Sequence, residues 1–134
     1  DEGFHLLHIG AWDNDLSLEI LKDWIDLVDD DGWVAREQIL GDEARSKVPP
    51  EFITQVPSHA NPPTLTMAVT AFIDRLKSHP TGPSDSDLGM DFAMSDQILF
   101  SDALLSSSGD AYLRNPELAQ QFLRSIYPKL KRHY

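Results

Sequence analysis

Apolar residues recur at helical spacing in several separate stretches of this chain, with long aperiodic connections between them. Phe4, Leu7 and Trp12 mark a short helix over residues 2–12. After the break at "WDNDLS", Asp15 or Ser17 is placed to cap a second helix reaching about Val28, in which Leu21, Trp24, Ile25 and Val28 share one face. "DDDG" ends that helix, Gly32 being free to take the left-handed conformation that closes it. One turn of helix is expected around 42–47, and Pro49 and Pro50 are expected to stop any helix there. Asn61, followed by two prolines, reads as the N-cap of a helix whose stripe is Leu65, Ala68, Val69, Phe72 and Leu76. "PTGPSDSDLG" is a loop by composition, and a further helix is expected over about 95–105. Asn115 and Pro116 repeat the cap-then-proline signal for a helix to about Ile126, where Pro128 kinks it or begins another. There is no internal repeat and no strand pattern. The fold class expected is all-α, helices joined by long loops that carry the chemistry.

One connection has an unusual composition. "GWVAREQILGDEAR", residues 32–45, sets Arg36, Glu37, Asp42, Glu43 and Arg45 among Trp33, Val34, Ile39 and Leu40, with neither helical nor strand period. A solvated loop does not need the tryptophan and aliphatics, and a core helix does not carry the charges. The mixture suits the wall of a pocket that holds a polar ligand. The competing reading is a buried structural ion-pair network.

Composition narrows the ligand. A chain of 134 residues, 41% hydrophobic, is enough for one domain with a core and too apolar to be compositionally disordered. The net charge of −11 argues against nucleic acid and against anionic membrane surfaces, and tolerates neutral ligands such as sugars. With no cysteine there is no disulfide or thiolate site. No apolar run approaches the ~18 residues of a membrane span, and no targeting segment is visible.

Other candidates have plainer readings. Asp1 and Glu2 place favourable charge at a helix N-terminus. His5 and His8 share a helix face but lack a third ligand, so no metal site is expected. Asp29, Asp30, Asp31 and Gly32 fail the calcium-loop pattern and read as an acidic turn. Asn61 can face a cleft and hold a ligand hydroxyl as well as start a helix. Arg36, Glu37 and Gln38 offer donors and acceptors to hydroxyl groups, and Phe4, Trp12 and Trp33 offer faces to the C–H side of a sugar ring.

The wording of the motifs adds to this. "DEGFH…WD", "GWVAREQILGDEAR", "VPPEF" and "ANPPTL", in this order, resemble the catalytic domain of glycoside hydrolase family 63. The resemblance runs from Asp1 to about Leu76 and returns near "YPKLKRHY"; residues 80–115 match little, with a variable loop at about 80–94. It implies an (α/α)6 toroid of which residues 1–134 are a part, the remainder of the catalytic domain being the chain's partner. It implies removal of the outermost α-1,2-linked glucose from the N-glycan precursor, with inversion and without a cofactor, in the endoplasmic reticulum lumen by a membrane-anchored parent enzyme. The family's general acid is an aspartate in a "WDEGFH"-like motif, which falls on Asp1; the tryptophan before it is absent here. The partner base matches no residue of this chain. Phe4, Trp33, Arg36, Glu37 and Asn61 become the expected sugar contacts, with oligosaccharide the expected substrate.

The abrupt ends, "DEGFHLLHIGAW" and "YPKLKRHY", read as cuts through a larger domain. On that reading the stripe Leu65, Val69, Phe72 and Leu76 should face water in the chain alone. The competing class is a non-catalytic acidic helical interaction module, in which Arg36, Glu37 and Glu43 are structural pairs and Asp1 is a helix-end charge.

Overall fold

The computed structural model describes residues 2–59, 61–79 and 109–134; Asp1, the 80–94 loop and the helix expected at 95–105 lie outside them. The described residues are helical, with no strand. In chain order the helices are α1 (Glu2–Trp12), α2 (Asn14–Asp26), α3 (Gly41–Ser46), α4 (Pro50–Ile53), α5 (Leu65–Ser78), α6 (Ala111–Arg114) and α7 (Pro116–His133). The all-α class is therefore observed.

Three amphipathic helices form the core. Leu18, Leu21 and Ile25 of α2, Leu65, Ala68, Val69 and Phe72 of α5, and Ala119, Phe122 and Ile126 of α7 are buried together, with Leu6 of α1 and Leu113 of α6. Phe72 meets Phe122 edge to face with ring centroids 6.0 Å apart, and Tyr112 meets the same ring at 5.3 Å. Such pairs add to the area they bury, because the positive edge of one ring meets the negative face of the other. The stripe of α5 that was expected to face water is thus covered within this chain, except that Leu76 is only partly buried.

α1 packs on α2 and α5 through small residues. Its buried positions are Gly3, Leu6 and Gly10, whereas Phe4 is 48% and Trp12 83% exposed. A Cβ on Gly3 would stand 2.1 Å from the Thr64 carbonyl oxygen, and one on Gly10 would stand 2.6 Å from the Arg75 guanidinium. The close approach of backbone to backbone turns the aromatic residues of α1 outward, against the expected apolar face.

The caps also depart from expectation. Asp13, not Asp15 or Ser17, caps α2, its carboxylate accepting from Leu16 N at 2.9 Å. Ser17 is buried and donates to the Leu6 carbonyl at 3.0 Å, fastening α2 to α1. Asp15 reaches across the chain and accepts from Ala111 N at 2.7 Å and Tyr112 N at 3.3 Å, while its own N–H donates to Gly109 O at 2.9 Å. Beside it, Arg75 Nε donates to Asn14 Oδ1 at 3.0 Å. Burial pushes the Arg75 guanidinium below its ordinary range, partly offset by the charge of Asp110. An arginine still remains cationic at neutral pH.

α2 ends at Asp26, before "DDDG". Gly32 does adopt the left-handed region, at φ 88°, but inside a turn of its own: the Asp29 carboxylate accepts from Asp31 N and Trp33 N at 3.0 and 2.8 Å. That turn abuts α7, where Arg132 pairs with Asp30 at 3.0 Å and a Cβ on Gly32 would stand 2.2 Å from the Arg132 carbonyl. Pro50 starts α4 rather than stopping it, since a proline at the first helical position loses no hydrogen bond. α7 begins as expected, with Asn115 Oδ1 accepting from Glu117 N and Leu118 N, both at 3.1 Å, and runs through Pro128 to His133.

Candidate functional site

The two motif-bearing connections, 27–40 and 54–64, lie against each other at one end of the helical core. Val34 anchors the first: it is buried with Val28 among the core residues, so the residues after it are held near the start of α5. Two side-chain hydrogen bonds then join the loops. Asn61 Nδ2 donates to the Val34 carbonyl at 2.6 Å, and Trp33 Nε1 donates to the His59 carbonyl at 3.1 Å. Each uses a side-chain donor to satisfy a loop carbonyl that has no helical or strand partner, which is how irregular backbone becomes fixed.

This corrects the reading of Asn61 as a helix cap. α5 begins at Leu65 after Thr64, three residues later than the cap reading needs, and the Asn61 amide is committed across the cleft instead. Pro62 and Pro63 lie between the two points, and the Pro62 carbonyl accepts from Thr64 N at 2.7 Å in a tight turn.

Between the joined loops and α4 lies an open basin of about 550 Å³. Trp33, Arg36, Glu37 and Asn61 line one side; Glu51, Phe52, Gln55, Val56 and His59 line the other. Arg36 and Glu37 are exposed rather than buried. A smaller crevice on the α1 side brings Glu2 toward Arg36 and Asn61 and so points the N-terminal end of α1 at the same loops. The chemistry available is a cation, carboxylates, amides and aromatic faces. That set can hold hydroxyls and the apolar side of a ring without a metal.

The residues singled out from sequence divide accordingly. Trp33, Arg36, Glu37 and Asn61 share the basin; Phe4 is not among the residues lining it, and Asp1 falls outside the described residues. Trp12, offered as a second aromatic face, is exposed at the end of α1. His5 and His8 are engaged within α1, with Glu2 at 3.2 Å and with the Phe4 carbonyl at 3.3 Å. Among the described residues no group of three or more His, Asp and Glu is placed to hold a metal ion.

The α4 wall was missed. "VPPEF" carried the resemblance but received no role of its own. The usable signal was the proline pair: a proline starting a helix makes one turn of Pro50–Ile53 and sets Phe52, 60% exposed, on the open side of it.

The family model described as the glycosyl hydrolase family 63 C-terminal domain matches residues 1–134. The chain is 52% identical, over 136 aligned residues and its whole length, to a probable mannosyl-oligosaccharide glucosidase of Schizosaccharomyces pombe. It is 44% identical over its whole length to the mannosyl-oligosaccharide glucosidase of Saccharomyces cerevisiae. Across 69% of the chain it is 48% identical to the mannosyl-oligosaccharide glucosidase GCS1 of Arabidopsis thaliana. It spans 16%, 15% and 11% of the lengths of these relatives.

Proposed function

From the premise that this chain belongs to glycoside hydrolase family 63, we propose that it forms part of the catalytic domain of a mannosyl-oligosaccharide glucosidase. The substrate is the triglucosylated N-glycan precursor, and the bond cleaved is that of its outermost α-1,2-linked glucose. The remainder of an (α/α)6 toroid completes the domain, which works in the lumen of the endoplasmic reticulum. Among the described residues no helix is long and apolar enough to cross a membrane.

The observation that carries the reading is the basin itself. Trp33, Arg36, Glu37 and Asn61 come from two loops separated in sequence, and the bonds to Val34 and His59 hold those loops together. A site fixed before its ligand arrives loses less entropy on binding. Arg36 and Glu37 then bind hydroxyls of the terminal glucose, and the Trp33 ring faces its C–H side. Membership in a hydrolase family, together with this exposed polar wall, favours the enzyme over the scaffold module.

Inversion needs an acid and a base on opposite faces of the sugar, their carboxyl groups roughly 6.5–9.5 Å apart so that a water fits between base and anomeric carbon. Asp1 protonates the departing glycosidic oxygen as the bond to the anomeric carbon breaks. The base, a carboxylate from beyond this chain, takes a proton from the water that attacks the opposite face. Glucose leaves with its anomeric configuration reversed, and no cofactor enters the balance.

The test is to assay the full-length enzyme on the triglucosylated glycan while following the anomeric proton of released glucose by NMR. Initial release of β-glucose from the α-linkage supports the proposal. Initial release of α-glucose removes the inverting mechanism, and release of no glucose removes the function.

A further inference from the structure

We infer that His133, the last residue of α7, is a positioning residue for the sugar site: it acts on the substrate through Trp33, whose peptide it clamps. The inference rests on the terminal-glucose reading above, in which the Trp33 ring faces the sugar. One peptide unit is at the centre of it, the bond between Gly32 and Trp33. His133 Nδ1 stands 3.0 Å from the Gly32 carbonyl oxygen. A carbonyl only accepts, so this nitrogen carries the proton and donates. At the other end of the same unit, the Trp33 N–H donates to Asp29 Oδ1 at 2.8 Å. A peptide is planar, so holding its oxygen from one side and its nitrogen from the other fixes the plane from which Trp33 leaves the backbone.

The other polar groups of Trp33 are held as well. Its carbonyl accepts from Asp29 N at 3.0 Å, and its ring nitrogen donates to His59 O at 3.1 Å. Asp29 belongs to the same turn and His59 to the neighbouring loop, so those bonds leave the two loops able to shift together. The His133 bond is different in kind, because it ties the Trp33 peptide to a core helix. α7 is anchored by its buried residues Ala119, Phe122 and Ile126, and His133 extends that frame to the loop.

Gly32 makes the contact possible. A Cβ there would stand 2.2 Å from the Arg132 carbonyl oxygen, so a residue without one lets the turn come close enough to α7 for the His133 bond. Charge assists without orienting. Arg132 pairs with Asp30 at 3.0 Å on the surface, where such pairs contribute little. That pairing draws the basic end of α7 to the acidic turn, and the half-buried His133 supplies the directed bond. His133 also lines the crevice that holds Glu2, Arg36 and Asn61, so the clamp adjoins the wall assigned to the sugar.

The experiment is a double-mutant cycle in the full-length enzyme, read as kcat/KM on the triglucosylated glycan. His133→Ala should lower kcat/KM by about 10-fold or more, since misplacing a site by about 1 Å can cost up to about 100-fold. In a Trp33→Ala enzyme the same change should lower it by less than about 2-fold, because the group it positions is gone. His133→Asn should recover most of the loss, the asparagine Nδ2 donating from nearly the place of the histidine Nδ1. Equal losses in the two backgrounds would make His133 a general structural residue and overturn the inference. A wild-type rate in His133→Ala, or an asparagine variant no better than alanine, would do the same. If His133→Ala does not fold, His133→Gln, which keeps the bulk but carries its donor one bond farther out, takes its place in the cycle under the same criterion. Trp33→Ala by itself tests the underlying reading. If it leaves kcat/KM unchanged, the terminal-glucose site is misplaced; if it lowers kcat/KM and the His133 effect is additive, the clamp alone fails.

Discussion

Asn61 and Val34, twenty-seven positions apart in the chain, are joined by a side-chain amide donating to a main-chain carbonyl at 2.6 Å. The bond ties the segment leading into α5 to the loop that carries Arg36 and Glu37. Asn61→Ala should therefore act twice in the full-length enzyme. Loss of one hydrogen bond to a partly buried carbonyl costs about 1 kcal/mol of stability, and the freed loop should lower kcat/KM beyond what that stability loss explains. Asn61→Asp should be no better, because an ionised carboxylate accepts only and would face another acceptor. Thermal unfolding and glucose-release kinetics on both variants check this. Wild-type kinetics for Asn61→Asp would remove the latch.

Gly3 and Gly10 separate two kinds of tight contact. The nearest atoms to a Cβ on Gly3 are the Thr64 carbonyl oxygen and carbon, at 2.1 and 2.2 Å, which are backbone and cannot rotate away. At Gly10 the nearest atom is the end of the Arg75 side chain, at 2.6 Å. Overpacking that forces a backbone shift costs typically about 1–3 kcal/mol. Gly3→Ala should fall at the upper end of that range and Gly10→Ala below it, since arginine can move at the expense of its bond to Asn14. Equal denaturation midpoints for the two variants would contradict the packing described for α1.

The bond network of Asp15 explains a residue that looked like a helix cap. Its carboxylate serves Ala111 N and Tyr112 N, two donors at the start of α6 with no partner of their own inside that short helix. Asp15→Ala should destabilise by about 1–2 kcal/mol, the range for removing a cap, and Asp15→Asn by less, because the amide oxygen still accepts. The Tyr112–Phe122 ring contact lies next to these bonds. Loss of near-ultraviolet circular dichroism from the aromatic cluster is the specific readout; an unchanged aromatic spectrum in Asp15→Ala would show that α6 is held by packing alone.

The faces of α2 and α5 were legible because each pattern has one strong period: Leu21, Ile25 and Val28, or Leu65, Val69 and Phe72, leave a single solution for which side is apolar. α1 was not legible, because its contact uses the absence of side chains. Gly3 and Gly10 carry no hydrophobic signal, and Phe4 and Trp12 carry a misleading one. The polar residues failed for a different reason. Asp13, Asp15, Ser17 and Asn61 can each serve a local cap or a distant backbone group, and only the fold decides which donors come within reach. The basin was half legible. Arg36 and Glu37 stood out as charges beside Trp33 in a stretch without a period, whereas Phe52 sat in a motif that carried the resemblance but received no role of its own.

The sharpest prediction concerns Asp1 and Glu37, the two carboxylates on which the mechanism is most easily misassigned. In the full-length enzyme Asp1→Asn keeps the shape of the side chain and removes the proton that must reach the leaving oxygen. General acid assistance contributes typically about 10²–10⁴-fold, so turnover of the triglucosylated glycan should fall by that order while glycan affinity stays near wild type. The loss should shrink on α-glucosyl fluoride, since fluoride departs without a proton from the enzyme. Glu37→Gln should behave differently. Glu37 lies on the loop wall with Arg36 and is assigned to hold a hydroxyl, so its loss should weaken both substrates by a similar factor. The measurement is kcat/KM for each variant on each substrate, beside glycan affinity. A fluoride rate spared in Glu37→Gln and lost in Asp1→Asn would exchange the two roles. If azide restored turnover to Glu37→Gln by forming β-glucosyl azide, Glu37 would become the base, and the second carboxylate would no longer need to come from beyond this chain.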